Sequence, residues 1–405
     1  MNETAPGDGA PTGPRAIPRS IWALGLVSLF MDSSSELIHS LLPVFLVSVL
    51  GASALSVGVI EGIAEATAAI TKLFSGSLSD YLGRRKLLAV LGYGLAAITK
   101  PLFPLAGSVG WVFTARFVDR IGKGIRGAPR DALIGDIAPA HLRGACYGLR
   151  QSLDTVGAFL GPLLAIAFMA LLADDIRAVF WVAVIPAFVA VAILVLGVRE
   201  PAAAEPERRP RAPIRFGDMR RIGAPYWWLV LIAAVLTLAR FSEAFLVLRA
   251  ADVGLSMAHV PWIMVVMNVA YAASAYPAGA LSDRVDRLTV LLVGFGLLLA
   301  ADLLLGVSQG LWPVLAGVAL WGLHMGLTQG LLAALVADAT PPDLRGTAFG
   351  AFNLVTGIVM LVASVLAGAL WDRYGPPATF HAGAVFTVIA ALGVLALRWH
   401  RRDAA

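Results

Sequence analysis

Three apolar stretches of this 405-residue chain carry ionisable side chains at helical spacing. Asp32, Glu36 and His39 follow i, i+4, i+7 and so fall on one stripe of a helix. Glu61, Glu65 and Lys72 share a face of a second, and Arg116, Asp119, Arg120 and Lys123, continuing to Arg126 and Arg130, crowd a third. Carboxylates facing guanidinium groups across a wet crevice make a proton switch. A carboxylate buried alone keeps its proton and surrenders it when an arginine comes within reach. Asp32, Glu36, Glu61, Glu65 and Arg116 are the candidates for that role. The competing reading is a static ion-pair network, and for His39 a hydrogen bond to a neighbour.

The second half of the chain differs in chemistry. Arg240, Glu243, Asp302 and His324 are its ionisable groups inside apolar runs, accompanied by Asn268, Tyr271, Tyr276, Trp321, Gln329 and Asn353. Hydrogen-bonding amides and aromatic faces suit the reading of an organic molecule. Together with His39, Arg120 and Lys123 of the first half, Arg240, Glu243, Asn268, Tyr271, Trp321, His324, Gln329 and Asn353 form the candidate substrate site. Lys100, beside Pro101, is read as snorkelling outward.

The elements that position these groups follow from composition. The chain is 59% hydrophobic and 14% charged, far from soluble globular proteins, where about a quarter of residues are charged. Twelve apolar runs are long enough to cross roughly 30 Å of hydrocarbon. In numbers they are 21–50, 55–79, 87–107, 110–130, 144–172, 178–198, 225–249, 257–281, 288–306, 311–336, 346–371 and 378–397. Arginines and lysines gather in alternate connections, at Arg84, Arg85, Lys86, Arg126, Arg130, Arg143, a run from Arg199 to Arg221, Arg284, Arg287 and Arg345. Both termini join that side, which the positive-inside rule makes cytoplasmic. The net charge of +5 then reflects loop bias and anionic lipid, not a nucleic-acid partner.

Residues 1–20 lack an apolar core and are expected to be a disordered cytoplasmic segment without a cleavable signal. A six-helix bundle (21–198), a Pro- and Arg-rich cytoplasmic linker (199–223), a second bundle (224–398) and a cytoplasmic tail (399–405) complete the expected organisation. The single cysteine, Cys146, excludes an internal disulfide. Six scattered histidines offer neither a metal cluster nor a catalytic one, and no Gly-Lys-Ser or Gly-Lys-Thr ends a glycine-rich run. No metal, no cofactor and no enzymatic activity are therefore expected.

The halves repeat. Gly76 and Asp80 in GSLSDYLGRRKLL recur 203 residues later as Gly279 and Asp283 in GALSDRVDRLTVL, and DIAPAHLRGACYG (136–148) recurs 202 residues later as DATPPDLRGTAFG. The first of these, with Gly76, Asp80, Gly83, Arg84, Arg85 and Lys86, resembles the hallmark loop of the major facilitator superfamily, placed between spans two and three as in that family. In the echo, Asp286 replaces the second glycine and Arg284 and Arg287 are all that remain of the basic cluster. The resemblance implies an all-α membrane protein of twelve transmembrane helices in two pseudo-symmetric six-helix bundles around a cavity that opens to each side in turn. Gly76, Asp80, Gly83, Arg84, Arg85, Asp283, Arg284, Arg143 and Arg345 are then expected to form a conformational latch. RFVDRIGKG resembles the family's fourth helix, with Arg116 matching its arginine, Gly122 and Gly124 its small positions, and Arg120 standing where a glycine is usual. In span five, Gly157, Gly161 and Pro162 resemble a glycine-proline packing motif of the superfamily's antiporters.

The reading is a proton-coupled secondary transporter of a small organic solute, first of all an efflux antiporter, acting as a monomer among membrane lipids in an inner (plasma) membrane. The alternatives are a proton symporter importing an organic anion or a metal-chelating carboxylate, and, from another class, a membrane-embedded enzyme or a sensor.

Overall fold

Hydrocarbon offers no hydrogen-bond partner to a backbone, so a spanning segment must close its own ladder. In the computed structural model each apolar run is accordingly helical. The structure describes residues 17–82, 84–200, 221–282, 284–341 and 344–403, with all their side chains but those of Ser77, Asp80, Ala140 and residues 400–403. The first half holds α1 (Arg19–Val44), α2 (Ala54–Leu82), α3 (Arg85–Thr99), α4 (Val109–Ile137), α5 (Arg143–Leu171) and α6 (Ile176–Gly197). In the second, α7 (Ala224–Ala239) and α8 (Ala244–Asp252) are two pieces of one span, followed by α9 (Trp262–Ser282), α10 (Arg287–Val307), α11 (Leu311–Asp338), α12 (Arg345–Tyr374) and α13 (Pro376–Asp403). No strand occurs among the described residues. The expected linker lies mostly outside them, and α13 runs on to Asp403, beyond the end of its apolar run.

Ten helical segments are long and apolar enough to qualify as membrane spans by composition alone. The other two are α3 and α4, which complete the twelve. Helix α3 stops after 15 residues, where Pro101 sits in a 3₁₀ turn, Lys100–Leu102. Helix α4 is long but heavily charged. Lys100 does not snorkel: it is 1% exposed, and its Nζ lies 3.0 Å from Asp119 on α4 and 3.0 Å from Ser35 on α1. The turn after Thr99 points the lysine into the bundle, where Asp119 is its ion-pair partner.

Within the first half α1 packs on α5 and α6, while α2 and α3 flank α4; within the second, α9 and α10 flank α11, and α13 lies against α10 and α7. Asp286, which stands where the first copy of the loop has Gly83, caps α10 by accepting from the Leu288 and Thr289 amides. The main contact between halves is α2 against α12.

Candidate functional site

Helix α4 is the spine of the site, and small residues set how closely its neighbours approach. A side-chain carbon at Gly122 would lie 2.7 Å from the Gly92 carbonyl oxygen of α3, and one at Gly124 would lie 2.5 Å from Thr71 Cβ of α2. This two-sided grip turns the arginine face of α4 toward α2. Arg116 consequently forks onto Glu61, with its Nε 3.1 Å and its second nitrogen 2.7 Å from the two carboxylate oxygens. Both side chains are 2% exposed. A bidentate, fully enclosed pair is the arrangement in which two membrane charges hold each other best.

Asp32 and Glu36 take other partners than Arg116 in this conformation. Asp32 lies 3.8 Å from Arg126, and Glu36 lies 3.4 Å from His39, whose other ring nitrogen is 3.6 Å from Glu61. Arg120 pairs with Glu65 at 3.3 Å. Nearer the arginine-rich face, Arg130 and Arg150 share Asp131 and Asp154 over 3.1–3.9 Å, tying α4 to α5. Helix α5 reaches α1 at the same level: a side-chain carbon on Gly157 would lie 2.4 Å from the Leu29 carbonyl oxygen, and one on Gly161 would lie 2.6 Å from Glu36 Cβ. Pro162 is buried beside them.

These groups surround a cavity of about 820 Å³ between the two halves. Asp32, Glu36, Glu65, Lys72, Lys123, Arg126, Arg130 and Asp154 line it from the first half, and Arg240, Gln329, Phe349, Phe352 and Asn353 from the second. Its lining runs toward the ends of α2, α4 and α11 and the start of α12, which share the arginine-rich face, and meets α7 at Ala233, Leu236 and Thr237. A smaller chamber of about 240 Å³ lies beside it, bounded by His39, Glu61, Arg120, Glu243 and Trp321. Glu36, Glu65, Lys123 and Arg240 border both. The break between α7 and α8 supplies Arg240 and Glu243, and the Ser242 amide it frees donates to the Ser364 hydroxyl of α12 at 3.2 Å.

Of the remaining sequence candidates, Asn268, Tyr271 and His324 border neither chamber. Tyr271 packs on the hydrophobic core, and His324, fully enclosed, meets the Gly294 carbonyl at 2.8 Å through Nδ1. Arg126 and Arg130, legible only as continuations of the charged α4 stripe, belong to the chamber, and so does Asp154, one turn from Arg150 in span five. In the loop, Arg85 holds Asp136 and the Ala132 carbonyl of α4, and Arg287 holds Asp338 of α11 in the same way 202 residues on. Both clamps act inside one half. Gly76 faces Ala128 of α4 at ordinary contact distance, while Arg84, Arg143, Arg284 and Arg345 are exposed. Gly83, Asp283 and the Asp80 side chain lie outside the described residues.

At the opposite face the halves meet. Asp372 of α12 accepts from the Ala54 amide at 3.0 Å and the Leu55 amide at 2.9 Å, capping α2 from the other half of the molecule. Below that cap, a side-chain carbon at Gly58 would lie 2.1 Å from the Ser364 carbonyl oxygen. Backbone meets backbone here, and α2 lies directly against α12 at this face.

Twelve spans in duplicated halves, with an ion-lined chamber between them and α2 packed backbone to backbone on α12 beyond it, define a membrane transporter. Residues 23–249 and 229–405 match the family model of the Major Facilitator Superfamily, and the chain belongs to that superfamily. An uncharacterised MFS-type transporter of Methanocaldococcus jannaschii is 32% identical over 389 residues, covering 94% of this chain and 95% of the relative. The 3-(3-hydroxy-phenyl)propionate transporter of Escherichia coli is 25% identical over 338 residues, 81% of each chain. Among solved structures, a bacterial homologue of the human lysosomal transporter Spinster, in an inward-facing and unoccupied conformation, superposes with a TM-score of 0.70 at 17% identity, covering 93% of this chain and 95% of its own.

Proposed function

We propose that the chain is a proton-coupled secondary transporter that moves a small organic solute by alternating access, working as a monomeric efflux antiporter. The run Glu36, His39, Glu61, Arg116 carries this reading. An imidazole set 3.4 Å from one carboxylate and 3.6 Å from another passes a proton between them by using its two nitrogens in turn. Glu36 borders the large chamber and Glu61 only the deeper one, so the relay leads from water to the Arg116 pair. A proton arriving on Glu61 removes the charge that holds Arg116 and loosens α2 from α4. Because α2 also forms the seam with α12, protonation reaches the closed face through a single helix.

By the positive-inside rule the arginine-rich face is cytoplasmic, which makes this an inward-facing state in an inner membrane. The relative named for 3-(3-hydroxy-phenyl)propionate supports a small organic cargo. Exchange is supported by the resemblance of Gly157, Gly161 and Pro162 to the superfamily's antiporter motif, whose two glycines seat α5 on α1 beside Glu36.

Liposomes with trapped pyranine test the reading. A solute entering by antiport expels protons and the lumen turns alkaline, a signal that Glu36→Gln abolishes while solute-for-solute exchange persists. Acidification would instead make the protein a symporter. Solute entry with no proton movement removes the coupling altogether.

A further inference from the structure

We propose that the chamber binds a small organic anion, held between Lys72 of α2, Lys123 of α4 and Arg240 at the break between α7 and α8. The inference rests on the transport reading and adds the cargo's chemical class.

It comes from pairing, not from net charge. Asp32, Glu36, Glu61, Glu65 and Asp154 on the walls each have a basic partner within 4 Å, namely Arg126, the His39 imidazole, Arg116, Arg120 and the Arg130–Arg150 pair. Among the described residues Glu243 is the one wall carboxylate outside these pairs, and it borders the smaller chamber, not the larger. Lys72, Lys123 and Arg240 make no ion pair within that distance among the described residues. Lys72 and Lys123 extend into open space, while the Arg240 Nε is enclosed and makes no hydrogen bond. A charged group at membrane depth costs roughly 2.5–3.5 kcal/mol even on insertion scales. Three such cations facing one cavity, with an unused guanidinium donor among them, fit an occupant that brings its own negative charge.

The geometry also says what surrounds that charge. An arginine offers a carboxylate or phosphate a two-pronged donor, and a lysine adds a point charge. Phe349 and Phe352 form an apolar wall of the same cavity, and Asn353 and Gln329 supply neutral hydrogen bonds. A volume near 820 Å³ lies in the range of about 300–1,000 Å³ usual for small-molecule sites. The matching cargo has one anionic head and an apolar body. Its head draws Lys72 and Lys123 of one half and Arg240 of the other to a common centre, so an occupied chamber favours closure more than an empty one, in which like charges face each other across the cleft.

Binding to the purified full-length protein, in nanodiscs of phosphatidylcholine so that anionic lipid is absent, tests this with matched probe sets. Each set is one scaffold as acid, amide and amine: benzoate, benzamide and benzylamine, and likewise the 3-phenylpropyl series, with benzyl phosphate added. Thermal shift and tryptophan fluorescence report binding. Stabilisation by the anion of a set, but not by its amide or amine, is expected. Lys123→Gln and Arg240→Gln should each weaken the anion by about tenfold or more, with Lys123→Arg restoring it. Equal binding of the amides, preference for the amines, or no anion bound by the wild type overturns the proposal. So does anion affinity untouched in a folded Lys123→Gln/Arg240→Gln variant. The wild-type comparison stands even where a variant fails to fold. Counterflow of a bound anion in liposomes separates the two claims: binding without counterflow sinks the transport reading and leaves the site, whereas proton-coupled movement of an amine without anion binding sinks the site alone.

Discussion

Replacing Gly58 by alanine places a methyl group inside the α2–α12 seam. The added carbon falls 2.1 Å from the Ser364 carbonyl oxygen and 2.9 Å from its carbon, whereas ordinary contact begins at 3.4 Å, so the helices must part by about 1.3 Å. Both nearer atoms are backbone, and no rotamer change relieves them. Overpacking of this kind costs about 1–3 kcal/mol. The penalty applies only to the conformation with this seam closed, and at 1.4 kcal/mol per tenfold it shifts the equilibrium by about fivefold to more than a hundredfold. Spin labels on Ser53→Cys and Arg373→Cys, both at the face where the halves meet, read the shift by pulsed electron resonance as growth of the long-distance population. Gly94→Ala is the control, since nothing lies within 4 Å of that position. If Gly58→Ala folds and its distance distribution matches wild type, the seam is not the gate and the alternating-access argument built on it fails.

Three further outcomes follow from the same geometry. Asp372→Ala leaves the Ala54 and Leu55 amides without their acceptor, and the loss of a charged cap, about 1–2 kcal/mol, should shift the same label pair toward long distances, an effect absent if water replaces the cap at no cost. Arg116→Ala strands Glu61 in an enclosed site and should destabilise the protein by about 3–5 kcal/mol, with Arg116→Ala/Glu61→Gln recovering most of the lost melting temperature; no recovery would show that packing, not charge, is at stake. Lys100→Met should lower the melting temperature while Lys100→Met/Asp119→Leu restores it with transport intact, because this pair borders neither chamber. Loss of transport in a stable double variant would move Lys100 and Asp119 into the working machinery.

The twelve spans and their duplication were legible because both are written in single-residue properties: hydropathy over about 20 residues and a recurring offset. Partners were not legible, since they depend on which way a helix is turned. Gly122 and Gly124 turn α4 toward α2 and α3, so Arg116 meets Glu61, although the i, i+4, i+7 stripe on α1 was the more regular signal. Lys100 misled for a local reason: Pro101 ends the helix, and the turn reverses the direction in which a lysine near a helix end would otherwise reach. The break in span seven had a visible marker, the polar Arg240-Phe-Ser-Glu243 interruption, easily absorbed into a long apolar run. Arg85 and Arg287 share the 202-residue offset that relates Asp136 to Asp338, so the twin clamps were readable. Asp372 on the α2 terminus was not, because its partners lie more than 300 residues away.

The charged α4 has a consequence for how the protein is made. Entering lipid alone, it would carry Arg116, Asp119, Arg120, Lys123, Arg126 and Arg130 with only Arg130 paired on the same helix, by Asp131, and each charge is opposed by roughly 2.5–3.5 kcal/mol. Its counter-ions arrive on other segments: Glu61 and Glu65 on α2, Lys100 just after α3, Asp32 on α1 and Asp154 on α5. Emerging from the ribosome, the first helices must wait at the insertion machinery until α4 joins them, and leave it as one assembled cluster instead of span by span.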